Sequence, residues 1–120
     1  MTDPIKFKST GPDGFLSTKE DLPTAELLHG NPRGAEHTYF ASAQGKMRSG
    51  IWHSTPYCER YDSYPADEFM YVIEGSVTLV NDNGRFHFKA GDAFMLPRGF
   101  SGTWEQEEYM LKYFVILENE

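Results

Sequence analysis

Asp67-Glu68-Phe69-Met70-Tyr71-Val72-Ile73-Glu74-Gly75 and Gly91-Asp92-Ala93-Phe94-Met95-Leu96-Pro97-Arg98-Gly99 are the two stretches that decide the fold. Each is a run of residues that favour a pleated surface. Each ends where glycine, or proline with glycine, forces a turn. Between them residues 76–80 predict another strand. Asn81-Asp82-Asn83-Gly84 predicts a hairpin, because Asn and Gly tolerate positive φ. Residues 85–89 predict the returning strand.

Working outward, strands are expected at 37–42, 47–55, 102–106 and 109–117, the second of these ended by Pro56. Residues 57–66 are polar and aromatic and read as a loop or a bent strand. Residues 1–34 are rich in turn formers and read as an irregular N-terminal arm, and 35–120 as one barrel domain. Within the arm, 24–29 could make one or two helical turns, with Thr24 as cap and Gly30, Asn31 and Pro32 as stop. Short strands joined by hairpins, with no helices between them, predict an antiparallel sandwich or barrel.

The chain has 120 residues, enough for one domain with a core of its own. Its 18 acidic residues outnumber its 11 basic ones, for a net charge of −7. Nucleic acid and anionic membrane are therefore excluded as expected partners, since phosphate binding needs a basic face. Cys58 stands alone, so no intrachain disulfide can form, which suits a reducing cytoplasm. No apolar run resembles a signal peptide or a membrane span.

The two opening stretches resemble the paired motifs of the cupin superfamily. Glu68 and Gly75 match the Glu and Gly of the first motif, and Gly91, Pro97 and Gly99 match the second. With Gly50-Ile51-Trp52, Thr55-Pro56, and Phe100 followed by Gly102-Thr103-Trp104-Glu105, residues 48–117 are similar to one branch in particular. These are the small single-domain cupins related to ethanolamine-utilisation and ureidoglycine aminohydrolase proteins. The resemblance implies an all-β fold, the RmlC-like double-stranded β-helix or jelly-roll barrel, and a homodimer. It implies no particular reaction, because fold does not carry function.

The resemblance also shows what is missing. A metal-binding cupin holds its ion through three imidazoles and one carboxylate. Here the first-motif histidine positions fall on Tyr61 and Ser63, or on Asp62 and Tyr64, and the second-motif position is Gly102. None of His29, His37, His53 and His87 is spaced as one of a ligand pair. No cofactor and no metal are expected. The exception would be a rearranged set such as His53 with Tyr61 or Asp62.

Strand alternation puts Glu68, Met70 and Val72 on one face, which the resemblance turns into the barrel. Phe69, Tyr71 and Ile73 then face outward and would want a partner if nothing covers them. Gly102 and Trp104 are expected to point inward, leaving a gap where the histidine usually sits. The expected ligand pocket is thus Trp52, Tyr61, Tyr64, Met70, Val72, Gly102 and Trp104, largely apolar with few polar groups. Glu68 is the candidate acid or base, or a structural carboxylate held by Arg48 or Arg60. His53 is a weaker catalytic candidate, its orientation open. Tyr57, Tyr61 and Tyr64 with Trp52 and Trp104 read as an aromatic cluster, for packing or for stacking a planar or cationic ligand. Cys58 has nothing beside it to activate a thiol.

Two functions follow. The favoured one is a metal-poor pocket that binds a small organic metabolite, with weak acid–base activity through Glu68 as an extension. The alternative is a metal-dependent lyase, isomerase or aminohydrolase with substituted ligands.

Overall fold

A computed structural model describes residues 2–118. After a 3-10 turn at Phe15–Ser17, the chain makes β1 (Glu20–Asp21), β2 (Glu26–Gly30), β3 (Arg33–Ala41), β4 (Met47–Ser54), β5 (Tyr57–Tyr61) and β6 (Ala66–Glu74). It continues through β7 (Ser76–Asn81), β8 (Gly84–Lys89), β9 (Ala93–Leu96), β10 (Gly102–Gln106) and β11 (Met110–Glu118). Two antiparallel sheets result, ordered β1-β3-β4-β11-β6-β9 and β2-β5-β10-β7-β8. The chain crosses between sheets repeatedly, as a jelly roll requires. No helix of the described residues is long and apolar enough to cross a membrane.

The expected hairpins form where the turn residues place them. Gly75 joins β6 to β7 at φ +84°, and a Cβ there would stand 1.9 Å from the Tyr109 carbonyl oxygen. Only glycine fits that turn. Across the next hairpin, Asn81 Oδ1 accepts the Asn83 N–H at 2.9 Å before the chain returns through Gly84.

The irregular arm runs as far as Lys19; from Glu20 onward it joins the sheets. β1 pairs with β3, and β2 with β5. The helical turns expected at 24–29 do not form. So short a segment cannot offset the cost of helix nucleation. Pairing with β5 satisfies its backbone instead. The span 57–66 resolves into strand β5 and a short loop.

The inner faces of the two sheets meet in one core, with Met70, Val72, Val77, Leu79 and Trp104 buried together. A second cluster lies on the outer side of the six-stranded sheet, where Phe15 covers Ile51 and Leu111. Burying each such side chain contributes roughly 1.5–3 kcal/mol. The arm is held there further by the Phe7 ring, which packs against Tyr39 and Tyr113. The arm thus covers part of one outer face and leaves the barrel interior to the two sheets.

Candidate functional site

Strands β6 and β11 lie side by side, with Glu68 opposite Ile116 and Val72 opposite Lys112. Along β11, Met110, Lys112, Phe114 and Ile116 alternate inward and are all buried. The register skips Ile73 between Leu111 and Lys112, an irregularity of the kind that often re-aims a side chain beside a site. Lys112 reaches back along the interior, and its Nζ donates to Glu68 Oε2 at 2.9 Å. The side chains are only 7% and 4% exposed. The Tyr64 hydroxyl donates to the other oxygen, Glu68 Oε1. The ammonium also lies 3.2 Å from Met70 Sδ, and 4.7 and 5.0 Å from the ring centres of Trp52 and Trp104. Both ring distances lie within cation–π range.

This arrangement explains how a carboxylate survives inside the barrel. An ionised carboxylate alone in the core would cost several kcal/mol. A cation, a phenol donor and two aromatic faces offset that cost. The cation is neither of the arginines that the sequence suggested. Arg48 pairs with Glu36, and Arg60 lies near Glu26 and Asp62 on the surface.

Above the pair is a cavity of about 340 Å³. Trp52, Trp104, Tyr57, Tyr61 and Tyr64 wall it. The two indoles meet edge to face at 6.1 Å, as do Tyr61 and Tyr64 at 4.7 Å. The expected aromatic cluster therefore assembles as a lining. Burial first, and the nearby carboxylates after it, push the phenols of Tyr57 and Tyr64 well above the ordinary tyrosine range. Burial likewise raises Tyr61. All three remain neutral donors.

A second carboxylate, Glu59, also faces the cavity and is 3% exposed. It accepts the Ala25 N–H at 2.8 Å and the Tyr61 hydroxyl. With Glu36 and Arg48 also lining the cavity, the lining is more charged than the largely apolar pocket expected.

Other expectations shift. Met70 and Val72 point inward but are packed into the core beneath the cavity, both 0% exposed. Gly102 leaves no gap: a Cβ there would stand 2.1 Å from the Val80 carbonyl oxygen and 2.8 Å from Phe100 Cζ. The backbone of β7 and the Phe100 ring fill the space, and Gly102 lines a separate depression at the barrel end.

His53 is fully buried but on the opposite side of β4 from Trp52. Its Nε2 donates to the Phe15 carbonyl at 3.0 Å, and its ring packs against Phe15 and Tyr109. Burial pushes its pKa below the ordinary histidine value, outweighing the Phe15 carbonyl, which raises it. It anchors the arm and does not face Glu68. The rearranged set of His53 with Tyr61 or Asp62 is therefore not assembled, and Asp62 is 94% exposed. Cys58 is half-buried, and burial raises its thiol pKa.

The donor set at Glu68 does not fit a transition metal. One carboxylate and one phenol are present with no imidazole, and an ammonium already occupies the carboxylate. Among the described residues no group of three or more His, Cys, Asp or Glu gathers as metal ligands do.

Lys112 and Glu59 were both missed in the sequence. Lys112 stands in phase with Phe114 and Ile116, a polar residue on an otherwise apolar stripe. Glu59 stands in phase with Tyr57 and Tyr61, a signal hidden while 57–66 reads as a loop or a bent strand.

A protein of unknown function of the DUF861 family, from Pseudomonas syringae pv. tomato, superposes with a TM-score of 0.75 at 26% identity. The match covers 82% of this chain and 43% of that one, so this chain spans less than half the length of that protein. A Rhizobium leguminosarum protein of unknown function matches over 98% of this chain and 100% of its own, with a TM-score of 0.67 and 15% identity. The EutQ protein of Clostridium difficile covers 81% of each chain, with a TM-score of 0.61 and 14% identity. No curated protein matches the sequence. The EutQ-like cupin domain matches residues 41–114, more than half of the chain, and the protein belongs to that family of cupins.

Proposed function

We propose that the barrel binds a small organic molecule in the cavity above Glu68 and Lys112, and does so without a metal. The observation that carries this reading is the ammonium at the motif carboxylate. It supplies from the chain itself the positive charge that a metal supplies in a metal-binding cupin. The five aromatic walls and the neutral phenols support it, since small-molecule sites combine apolar surface with a few placed polar groups. The single cysteine suits a reducing cytoplasm. Phe69 and Tyr71, each 39% exposed on the outer face, support the homodimer that the resemblance implies, for which sedimentation equilibrium is the test.

The test of binding is a thermal-shift screen of small polar and aromatic metabolites against the full chain, repeated with Trp104→Leu. A ligand that binds only the folded state raises Tm by mass action. The expected result is a concentration-dependent rise, weakened in the variant. No rise with any compound would count against a ligand site.

A second reading is proton transfer. The hydrogen-bonded series Lys112–Glu68–Tyr64 favours it, because Glu68 there has a proton donor at each oxygen. Deuterium entering a carbon of the bound ligand, followed by NMR and lost in Glu68→Gln, would support it. Absence of exchange in the wild type would leave binding alone.

A further inference from the structure

The charged groups that line the cavity are Glu36, Arg48, Glu59, Glu68 and Lys112. Four of them pair off, Glu36 with Arg48 and Glu68 with Lys112. Glu59 is left without a cation among the described residues. Its partners are neutral, the Ala25 N–H and the Tyr61 hydroxyl.

Three of the donors that line the cavity are engaged in the same way, the Tyr57 hydroxyl not being among them. Tyr61 and Tyr64 donate to Glu59 and Glu68, and Lys112 donates to Glu68. What the cavity offers to a newcomer is carboxylate lone pairs and aromatic faces, with the Tyr57 hydroxyl as a neutral donor. That combination recognises a positive charge, which aromatic faces attract and a buried carboxylate holds more strongly than in water. A ligand anion would meet the unpaired charge of Glu59 at close range. Glu59 also borders a second depression, of about 530 Å³, shared with Pro23, Tyr61 and Tyr64, so its carboxylate stands between the interior and the surface.

We propose that the ligand of this cavity is a small organic cation, an ammonium-bearing molecule, and that Glu59 is its counter-ion. The proposal rests on the reading of the cavity as a ligand site and deepens it by naming the ligand's charge. Lys112 is the internal precedent, an ammonium already seated between a carboxylate and two indoles.

The experiment uses the full chain and probes of matched size: n-butylammonium and tetramethylammonium against n-butanol and butyrate, at constant ionic strength, read by thermal shift and calorimetry. The expected result is binding by the cations, with butanol and butyrate at least about tenfold weaker: n-butylammonium gains one charge-assisted hydrogen bond, and tetramethylammonium, which has no N–H, gains the cation–π and charge attraction alone. Glu59→Gln keeps the shape and is expected to remove that preference. Should Glu59→Gln fail to fold, Glu59→Asp withdraws the charge from the cavity and is expected to weaken the cations while leaving butanol unchanged. Binding of butyrate or butanol in preference to the cations overturns the charge assignment and leaves the ligand site standing. Binding by none of the four overturns both. Equal cation binding in wild type and Glu59→Gln overturns the role of Glu59.

Discussion

The two faces of β6 and β11 invert the usual order. Inward, among core residues, they carry Glu68 and Lys112; outward they carry Phe69, Tyr71, Val115 and Leu117, all more than a third exposed. Folding alone would favour the opposite arrangement, charge in water and aromatics in the core. The inner anomaly is fully compensated, with every polar atom of the pair meeting a partner. The outer one is covered by the arm in part, by Phe15 over Ile51 and Leu111 and by Phe7 against Tyr39 and Tyr113. The difference separates two kinds of unusual residue. A buried charge costs free energy wherever it is, so its satisfied presence under a cavity points to a site. Exposed apolar residues on a sheet cost little and point to a contact surface.

The largest effect is expected from breaking the inner pair. Lys112→Met keeps the length of the side chain but leaves Glu68 buried without its cation, and should destabilise the fold by about 3–5 kcal/mol in urea unfolding. Adding Glu68→Gln to that variant should restore much of the loss, because the stranded charge goes with it. A loss below about 1 kcal/mol for Lys112→Met would mean that the ammonium does not hold the carboxylate.

The same chemical change on the two faces sharpens the contrast. Val72→Thr places a hydroxyl at a position with 0% exposure and should cost about 1–3 kcal/mol. Val115→Thr, on the outer face and 38% exposed, should stay within about 0.5 kcal/mol. Equal costs would show that the outer face is buried in solution.

The pH dependence tests the arm. The folded pKa of His53 lies below its ordinary value of 6.5, so between the two the unfolded chain binds more protons. His53 therefore contributes stability that is complete above about pH 6.5 and is lost as pH falls towards the folded pKa. Whatever the absolute stability of His53→Asn, its stability should fall less than that of the wild type between pH 7 and pH 5. Parallel curves would place His53 in solvent. The smallest effect belongs to the surface ions. Arg60→Ala removes contacts at 3.8 and 3.9 Å between exposed groups and should change stability by less than about 0.5 kcal/mol.

The fold was legible because its turns depend on backbone chemistry that few residues can supply. Gly75 and Asn83-Gly84 mark their hairpins whatever surrounds them. Glu68 and Trp104 were legible because strand alternation, oriented by the motifs, projected them inward; Trp52, Tyr61 and Tyr64 were legible as an aromatic cluster beside those motifs. The partners were harder. Lys112 belongs to a strand outside both motifs, and a lysine is read as exposed until its phase with Phe114 and Ile116 is weighed. His53 could not be oriented because β4 is buried on both faces, with Ile51 and His53 under the arm and Ser54 in the interior, so no alternation of polarity marks a side. At 24–29 the strand exists only because β5 offers a partner, a long-range fact that local propensity does not contain.

Elemental mass spectrometry of the untagged full chain, after incubation with Mn, Fe, Ni and Zn and removal of free ions, decides what holds Glu68. An internal ammonium at the carboxylate predicts no stoichiometric metal in the wild type and no change in Glu68→Ala. Near one metal ion per chain, lost in Glu68→Ala, would contradict it and make this barrel a metal centre with substituted ligands.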